Sequence, residues 1–148
     1  MSKKHSQETL ATLIRNAGYK VTAPRLLILS LLEQSKYPVC IKDLASRLLK
    51  ANVDQVTAYR TLSAFEKSGI VTQVDFKRGS SYYELRDEQG DHHHIVCTTC
   101  HKVEDFKGCE YEKLAAKALR QVKAFATITA HSFEFFGLCK GCAVSIKN

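Results

Sequence analysis

Apolar positions recur every three or four residues as far as residue 68, then alternate. In QETLATLIRNAG (7–18), Leu10, Leu13, Ile14 and Ala17 share one helical face, and Gly18 is the expected C-terminal stop. TAPRLLILSLLEQ (22–34) follows, with Thr22 as a cap, Pro24 in the first turn and an apolar run dense enough for a buried helix. YPV (37–39) breaks the chain. IKDLASRLLK (41–50) then turns Ile41, Leu44, Ala45 and Leu48 inward. DQVTAYRTLSAFEKSG (54–69) predicts a fourth helix, with Asp54 near its N-cap, Val56, Tyr59, Leu62 and Phe65 at helical spacing, and Gly69 at its end.

IVTQVDF (70–76) and SYYELR (81–86) read as strands joined by KRGS, a hairpin with a basic tip. Short helices followed by such a hairpin form the pattern of a winged helix-turn-helix, whose helix 54–68 would enter the major groove. DEQGD (87–91) is a polar linker. Beyond it HHHIVC (92–97) and KVEDF (102–106) are strand-like. YEKLAAKALRQVK (111–123) is an amphipathic helix with Leu114, Ala118 and Val122 on one face, and FATITAHSFEFF (125–136) reads as one long strand. The expected fold is α+β: a winged helix over 1–86, a hinge at 87–91, and a small α/β domain over 92–148. The second part buries little apolar surface alone and needs a staple, a partner subunit, or both.

Of the 148 residues, 45% are hydrophobic and 25% charged, the balance of a globular chain. No apolar run approaches a membrane span, and the start MSKKHSQETL lacks the core of a signal peptide. A cytoplasmic location is expected, where six cysteines are metal ligands or thiols more often than disulfides. The net charge of +7 is confined to one half. Residues 1–86 hold 14 Lys/Arg against 7 Asp/Glu, whereas 87–148 hold 8 of each, so the first half is suited to a polyanion.

The chemistry is concentrated beyond the linker. Cys97-x-x-Cys100 and Cys139-x-x-Cys142 are paired knuckles, able to close a tetrahedral zinc shell with no position left for a substrate. Cys40 and Cys109 are left over, and small buried apolar residues are the default reading for both. The histidines immediately before Cys97 form a second constellation. On an extended strand His92 and His94 point one way while Asp91 and His93 point the other, so one segment can serve two metal sites. Glu84, Asp105, Glu112 and His131 are candidates to complete them, with nitrogen and oxygen donors suited to Zn(II), Fe(II) or Mn(II). Three adjacent histidines cannot face one ion from a regular strand. No HExxH or HxE…PCxxC is present, so an enzyme is not expected.

AGYKVTAPR (17–25), VTAYRTLSAFEKSGIV (56–71), YYEL (82–85), HHHIVCTTC (92–100), HSFEFFGLC (131–139) and the final CxxC together resemble the ferric uptake regulator family of metal-dependent bacterial repressors, over roughly residues 8–143. The resemblance implies an N-terminal winged helix hinged to a dimerisation domain. It also implies homodimers, in some members larger assemblies, that bind inverted-repeat operators in double-stranded DNA when metal is loaded. Carried over by position, Cys97, Cys100, Cys139 and Cys142 match the structural zinc site. Glu84, His92, His94 and, conservatively, Asp105 match an interdomain regulatory site. Asp91, His93, Glu112 and His131 match a second one. Tyr59 and Arg60 match base-contacting helix residues, with Thr57 beside them. Arg25 matches a phosphate contact, and Lys20 a residue reaching the minor groove.

The chain departs from the family pattern at the hinge. Many members carry a histidine just before the third helix, where this chain has Tyr37 and Pro38. Zinc-sensing members often carry a cysteine shortly before the histidines, where Arg86 stands. The identity of the sensed metal is therefore open. Two alternatives remain: a constitutive DNA-binding protein with structural zinc only, and a peroxide-sensing member of the same family.

Overall fold

A computed structural model describes residues 6–86 and 92–145. The expected linker at 87–91 lies outside the described residues. The chain divides into two compact units, Met1–Arg86 and Asp87–Asn148.

In the first unit the order is α1 (Gln7–Asn16), α2 (Ala23–Glu33), β1 (Val39–Cys40), α3 (Ile41–Leu49), α4 (Gln55–Lys67), β2 (Val71–Val74) and β3 (Tyr82–Leu85). Helix ends are closed by side chains where the sequence offers them. Ser6 Oγ accepts from Thr9 N, and Asp54 Oδ1 accepts from Thr57 N at 2.9 Å. Thr22 occupies the N-cap of α2, but its hydroxyl makes no cap bond; Pro24 sets that first turn instead. Gly69 ends α4 at φ +75°, and a Cβ there would meet Arg86 Nη1 at 3.0 Å.

The apolar faces of the four helices converge on one core of Leu10, Ile14, Ile28, Leu44, Leu62 and Phe65, with Tyr83 contributed by the sheet. Leu13, Ala17 and Leu85 pack at its edge. The antiparallel sheet has the order β1-β3-β2, with Val39 opposite Tyr83 and Thr72 opposite Glu84. The two-residue β1, within a stretch expected only to break the chain, is a third strand added to the hairpin.

One face differs from its helical-spacing reading. Val56 and Tyr59 are exposed, 58% and 43%, while Ala58, Thr61, Leu62 and Phe65 form the inward face of α4. The spacing of 56, 59, 62 and 65 drifts around the helix, so its first two members leave the core and only its last two enter it.

The second unit runs β4 (His93–Cys97), β5 (Val103–Phe106), α5 (Tyr111–Gln121), β6 (Phe135–Gly137) and α6 (Lys140–Ser145). Its sheet has the order β5-β4-β6, with β4 antiparallel to β5 and parallel to β6. The parallel pair needs a crossover, which α5 and the chain behind it supply. The long strand expected over 125–136 shrinks to 135–137. β6 pairs only with Ile95–Cys97, so the residues before it have strand composition but no β-ladder partner among the described residues. Helix α6, which follows from no apolar period, begins directly after Cys139. Within this unit, Val96 and Cys97 are the only buried apolar side chains among the described residues, and neither α5 nor α6 buries any residue.

Candidate metal centres

Cys97 closes β4 in register with Gly137, and Thr98 N donates to Gly137 O at 2.9 Å. This pairing brings the two knuckles together although 42 positions separate Cys97 from Cys139. The Sγ atoms of Cys97, Cys100, Cys139 and Cys142 all lie within 4.8 Å of one another, and Cys100 and Cys139 are 3.6 Å apart. A tetrahedron of Zn–S bonds has an edge of roughly 3.8 Å, so the four sulfurs fit one zinc ion with little movement. Backbone N–H groups also prepare the sulfurs for metal. Those of Cys139, Cys100 and Thr99 donate to Cys97 Sγ and hold its pKa down to about 5. The Cys142 N–H, followed by the Cys100 thiol, lowers Cys139. Cys142, beside the thiols of Cys100 and Cys139, is pushed up to about 12.

His92, directly before β4, and His93 and His94 at its start divide between the two faces of the chain. The rings of His92 and His94 meet edge-on at 5.1 Å, and His94 Nε2 lies 3.8 Å from Asp105 Oδ1 on the neighbouring strand. His94 is almost wholly buried. His93, also buried, instead meets His131, with their Nε2 atoms 3.1 Å apart. Aromatic faces clamp both rings. Phe133 stacks on His93 at 4.1 Å and Tyr111 on His131 at 4.2 Å, and the Tyr111 hydroxyl donates to Ile128 O. Of the residues expected beside His93 and His131, Asp91 lies outside the described residues. Glu112 is exposed on the first turn of α5 and is not part of the cluster.

Cys109 takes part where an apolar filler was expected. Its Sγ is 3.6 Å from His131 Nε2, and its ligand atom groups with those of His93 and His131 within 4.8 Å. No metal-binding spacing surrounds Cys109 in the sequence. The available signal was its place three residues before Glu112, at the mouth of a helix whose other end leads to His131.

In the first unit Glu84 stands on β3, half-buried, opposite Thr72. The expected DNA contacts are all in this unit. Arg60, Tyr59 and Lys20 are exposed. The Thr57 hydroxyl donates to Asp54 Oδ2 at 2.6 Å, which commits it to the helix cap. Arg25 lies over the Tyr19 ring and donates to Lys20 O at 2.6 Å. Tyr19 in turn donates its hydroxyl to Ala64 O and packs edge-on against Phe65, tying the α1–α2 turn to α4. At the hairpin tip Lys77 pairs with Asp75 at 3.0 Å, and Arg78 stacks near Phe76 and Tyr82. Arg25, Lys77 and Arg78 are thus each held beside an aromatic or acidic group.

The ferric uptake regulator family model matches residues 16–136. The chain belongs to the ferric uptake regulator family. Members of this family are metal-responsive transcription regulators. A ferric uptake regulation protein of Legionella pneumophila is 35% identical over 133 residues, covering 87% of this chain and 95% of that one. The crystal structure of the Vibrio cholerae ferric uptake regulator, described with DNA-binding domains that rearrange, aligns at TM-score 0.66 and 32% identity, covering 87% and 98%. The Pseudomonas aeruginosa regulator, solved with manganese, aligns at TM-score 0.67 and 30% identity, covering 88% and 98%. Among the described residues of this chain, no helix is long and apolar enough to cross a membrane.

Proposed function

We propose that this protein is a metal-dependent repressor that binds inverted-repeat operators as a homodimer, with the cysteines holding the fold and the histidines switching it. The observation that carries this reading is the division of β4: His92 and His94 on one face beside Asp105, His93 on the other against His131. A structural zinc site needs none of these imidazoles, so the strand has ligand capacity beyond its staple.

His92, His94 and Asp105 are a nitrogen- and oxygen-donor set suited to a divalent ion, and Glu84 is the ligand we assign to it from β3. A ligand from each unit would restrict the winged helix to one orientation, so that the two recognition helices of a dimer match the spacing of a palindrome. Without that restraint, affinity falls by the fraction of dimers in the competent state. Val56, Tyr59 and Arg60 on the exposed face of α4 are the residues assigned to the major groove. Lys20 and Arg25 are assigned to the phosphate backbone and minor groove.

The dimer is supported by the second unit's exposed apolar side chains. Leu114 and Val144 are 61% and 65% exposed, and Phe135, Phe136 and Leu138 are each more than 40% exposed. Surface of this kind on so small a unit fits an interface between copies of the chain.

The test is to select duplexes from a random pool with metal-loaded protein, then titrate the selected operator with protein carrying Zn(II), Fe(II) or Mn(II), or treated with a mild chelator. One of these ions should raise operator affinity at least tenfold over the chelated form, and the selected sequence should be an inverted repeat. Equal affinity in all forms, with the cysteine-bound zinc retained, would leave a constitutive DNA-binding protein.

A further inference from the structure

The His93 face of β4 carries a donor set that differs from the one expected of it. His93, Cys109 and His131 bring two imidazole nitrogens and one sulfur within 4.8 Å of one another. The Nε2–Nε2 separation is 3.1 Å, and Cys109 Sγ to His131 Nε2 is 3.6 Å. Ligands at tetrahedral Zn–N and Zn–S distances would be roughly 3.3 Å and 3.6 Å apart. The two observed separations therefore match the edges of a coordination tetrahedron. The surroundings hold that shape. Phe133 and Tyr111 fix the two ring planes, and Gly108 at φ +92° turns the chain immediately before Cys109.

We propose that Cys109 is a thiolate ligand of this second metal site, which it makes a two-nitrogen, one-sulfur centre for Zn(II) in place of a nitrogen–carboxylate centre completed by Glu112. A soft sulfur donor shifts preference away from Mn(II), which favours carboxylate and water, towards Zn(II) and its spectroscopic substitute Co(II). Binding converts the Cys109 thiol to a thiolate and releases its proton to solvent, so affinity rises with pH. The inference rests on His93 and His131 being metal ligands, but not on operator binding.

The experiment uses the full-length protein already carrying one zinc per chain and needs no DNA. Co(II) is titrated in, and near-ultraviolet sulfur-to-cobalt charge-transfer absorption is recorded with metal content. Wild-type protein should develop the band as a second metal binds. Cys109→Ser should lose the band, keep the first zinc, and bind Zn(II) at least about tenfold more weakly, since loss of an outer-shell partner alone costs 10–100-fold. Glu112→Gln should behave as wild type. A variant-free measurement guards against misfolding: Zn(II) should protect Cys109 from alkylation in the wild-type chain. A second cobalt bound without the band, alkylation of Cys109 unaffected by Zn(II), or loss of the second metal in Glu112→Gln but not in Cys109→Ser would each overturn the proposal. Failure here leaves the His92–His94 switch intact, and failure of metal-dependent operator binding leaves the cobalt result intact.

Discussion

Replacing Cys139 with serine tests whether the second unit is held by metal or by packing. Among the described residues that unit buries only Val96 and Cys97 as apolar side chains, and its two helices bury none. A fully buried valine contributes about 1.5–3 kcal/mol. A structural zinc ion contributes about 10–16 kcal/mol in zinc-finger peptides. Whole domains are stable by only about 5–15 kcal/mol, so loss of the ion exceeds what the remaining contacts can supply. Cys139→Ser should therefore lose one zinc per chain and unfold β4, β5 and β6 together, because Cys139 joins both knuckles: its N–H donates to Cys97 Sγ and its sulfur lies 3.6 Å from Cys100. The helical unit has its own core and should remain folded. Metal analysis combined with hydrogen exchange resolved by segment reads both effects, with protection lost over 93–106 and 135–145 and retained in α2 and α4. Phe65→Ala is the converse control. Phe65 is fully buried, and its truncation should cost about 3–5 kcal/mol in the first unit while zinc content is unchanged. A Cys139→Ser protein with full zinc and unaltered protection across β4–β6 would refute the reasoning.

Three further outcomes are expected. Arg60→Ala should weaken operator binding by about 1–3 kcal/mol and relax base preference, whereas Arg25→Ala should weaken binding to all duplexes alike, as competition titrations against mutated operators will show. Because Arg25 also packs on Tyr19, its variant should melt slightly earlier, and Arg60→Ala should not. His92→Ala with His94→Ala should abolish metal-dependent operator binding while dimer and cysteine zinc survive. His93→Ala should instead remove the second metal and weaken the dimer, and identical effects from both changes would mean one mixed site. The fourth concerns pH: the Thr57 hydroxyl and N–H hold the Asp54 carboxyl below its ordinary value, so the cap's contribution is present above that value and fades as pH falls through the lowered one. Thermal melts of Asp54→Ala should converge with wild type in acid and lie on the order of a few degrees below it at neutral pH.

The helices of the first unit were legible because each buries a continuous apolar stripe and carries its own punctuation, such as Asp54 before α4 and Gly69 after it. The orientation of α4 was not, because Val56 and Tyr59 satisfy the period while Thr61 and Ala58 take the inward places. An exposed residue of a helix can be as apolar as one in the core, so the period alone does not say which face is buried. In the second unit the local signals weaken. FATITAHSFEFF has the composition of a strand along its whole length, yet strand formation depends on a partner edge, which β4 offers to only its last two residues, Phe135 and Phe136. The cysteine knuckles were legible from spacing alone. Cys109 was not, because its neighbours His93 and His131 come from distant parts of the chain that only the fold brings together.

The parallel pairing of β4 with β6 also sets the order in which this protein can mature. Cys97 and Cys100 are synthesised as a local pair able to hold a metal at once, but Cys139 follows Cys97 by 42 positions. At a synthesis rate of roughly 5–20 residues per second, the first knuckle waits about 2 to 8 seconds for the second. Closing a loop of that length costs about 3 kcal/mol in chain entropy before any contact repays it. The strand contacts that align the knuckles are non-local and slow to form unaided. An ion already bound at Cys97 and Cys100 would lower that barrier by capturing Cys139 and Cys142 as they arrive. Zinc supply during translation would then govern how much of the newly made chain reaches its native form.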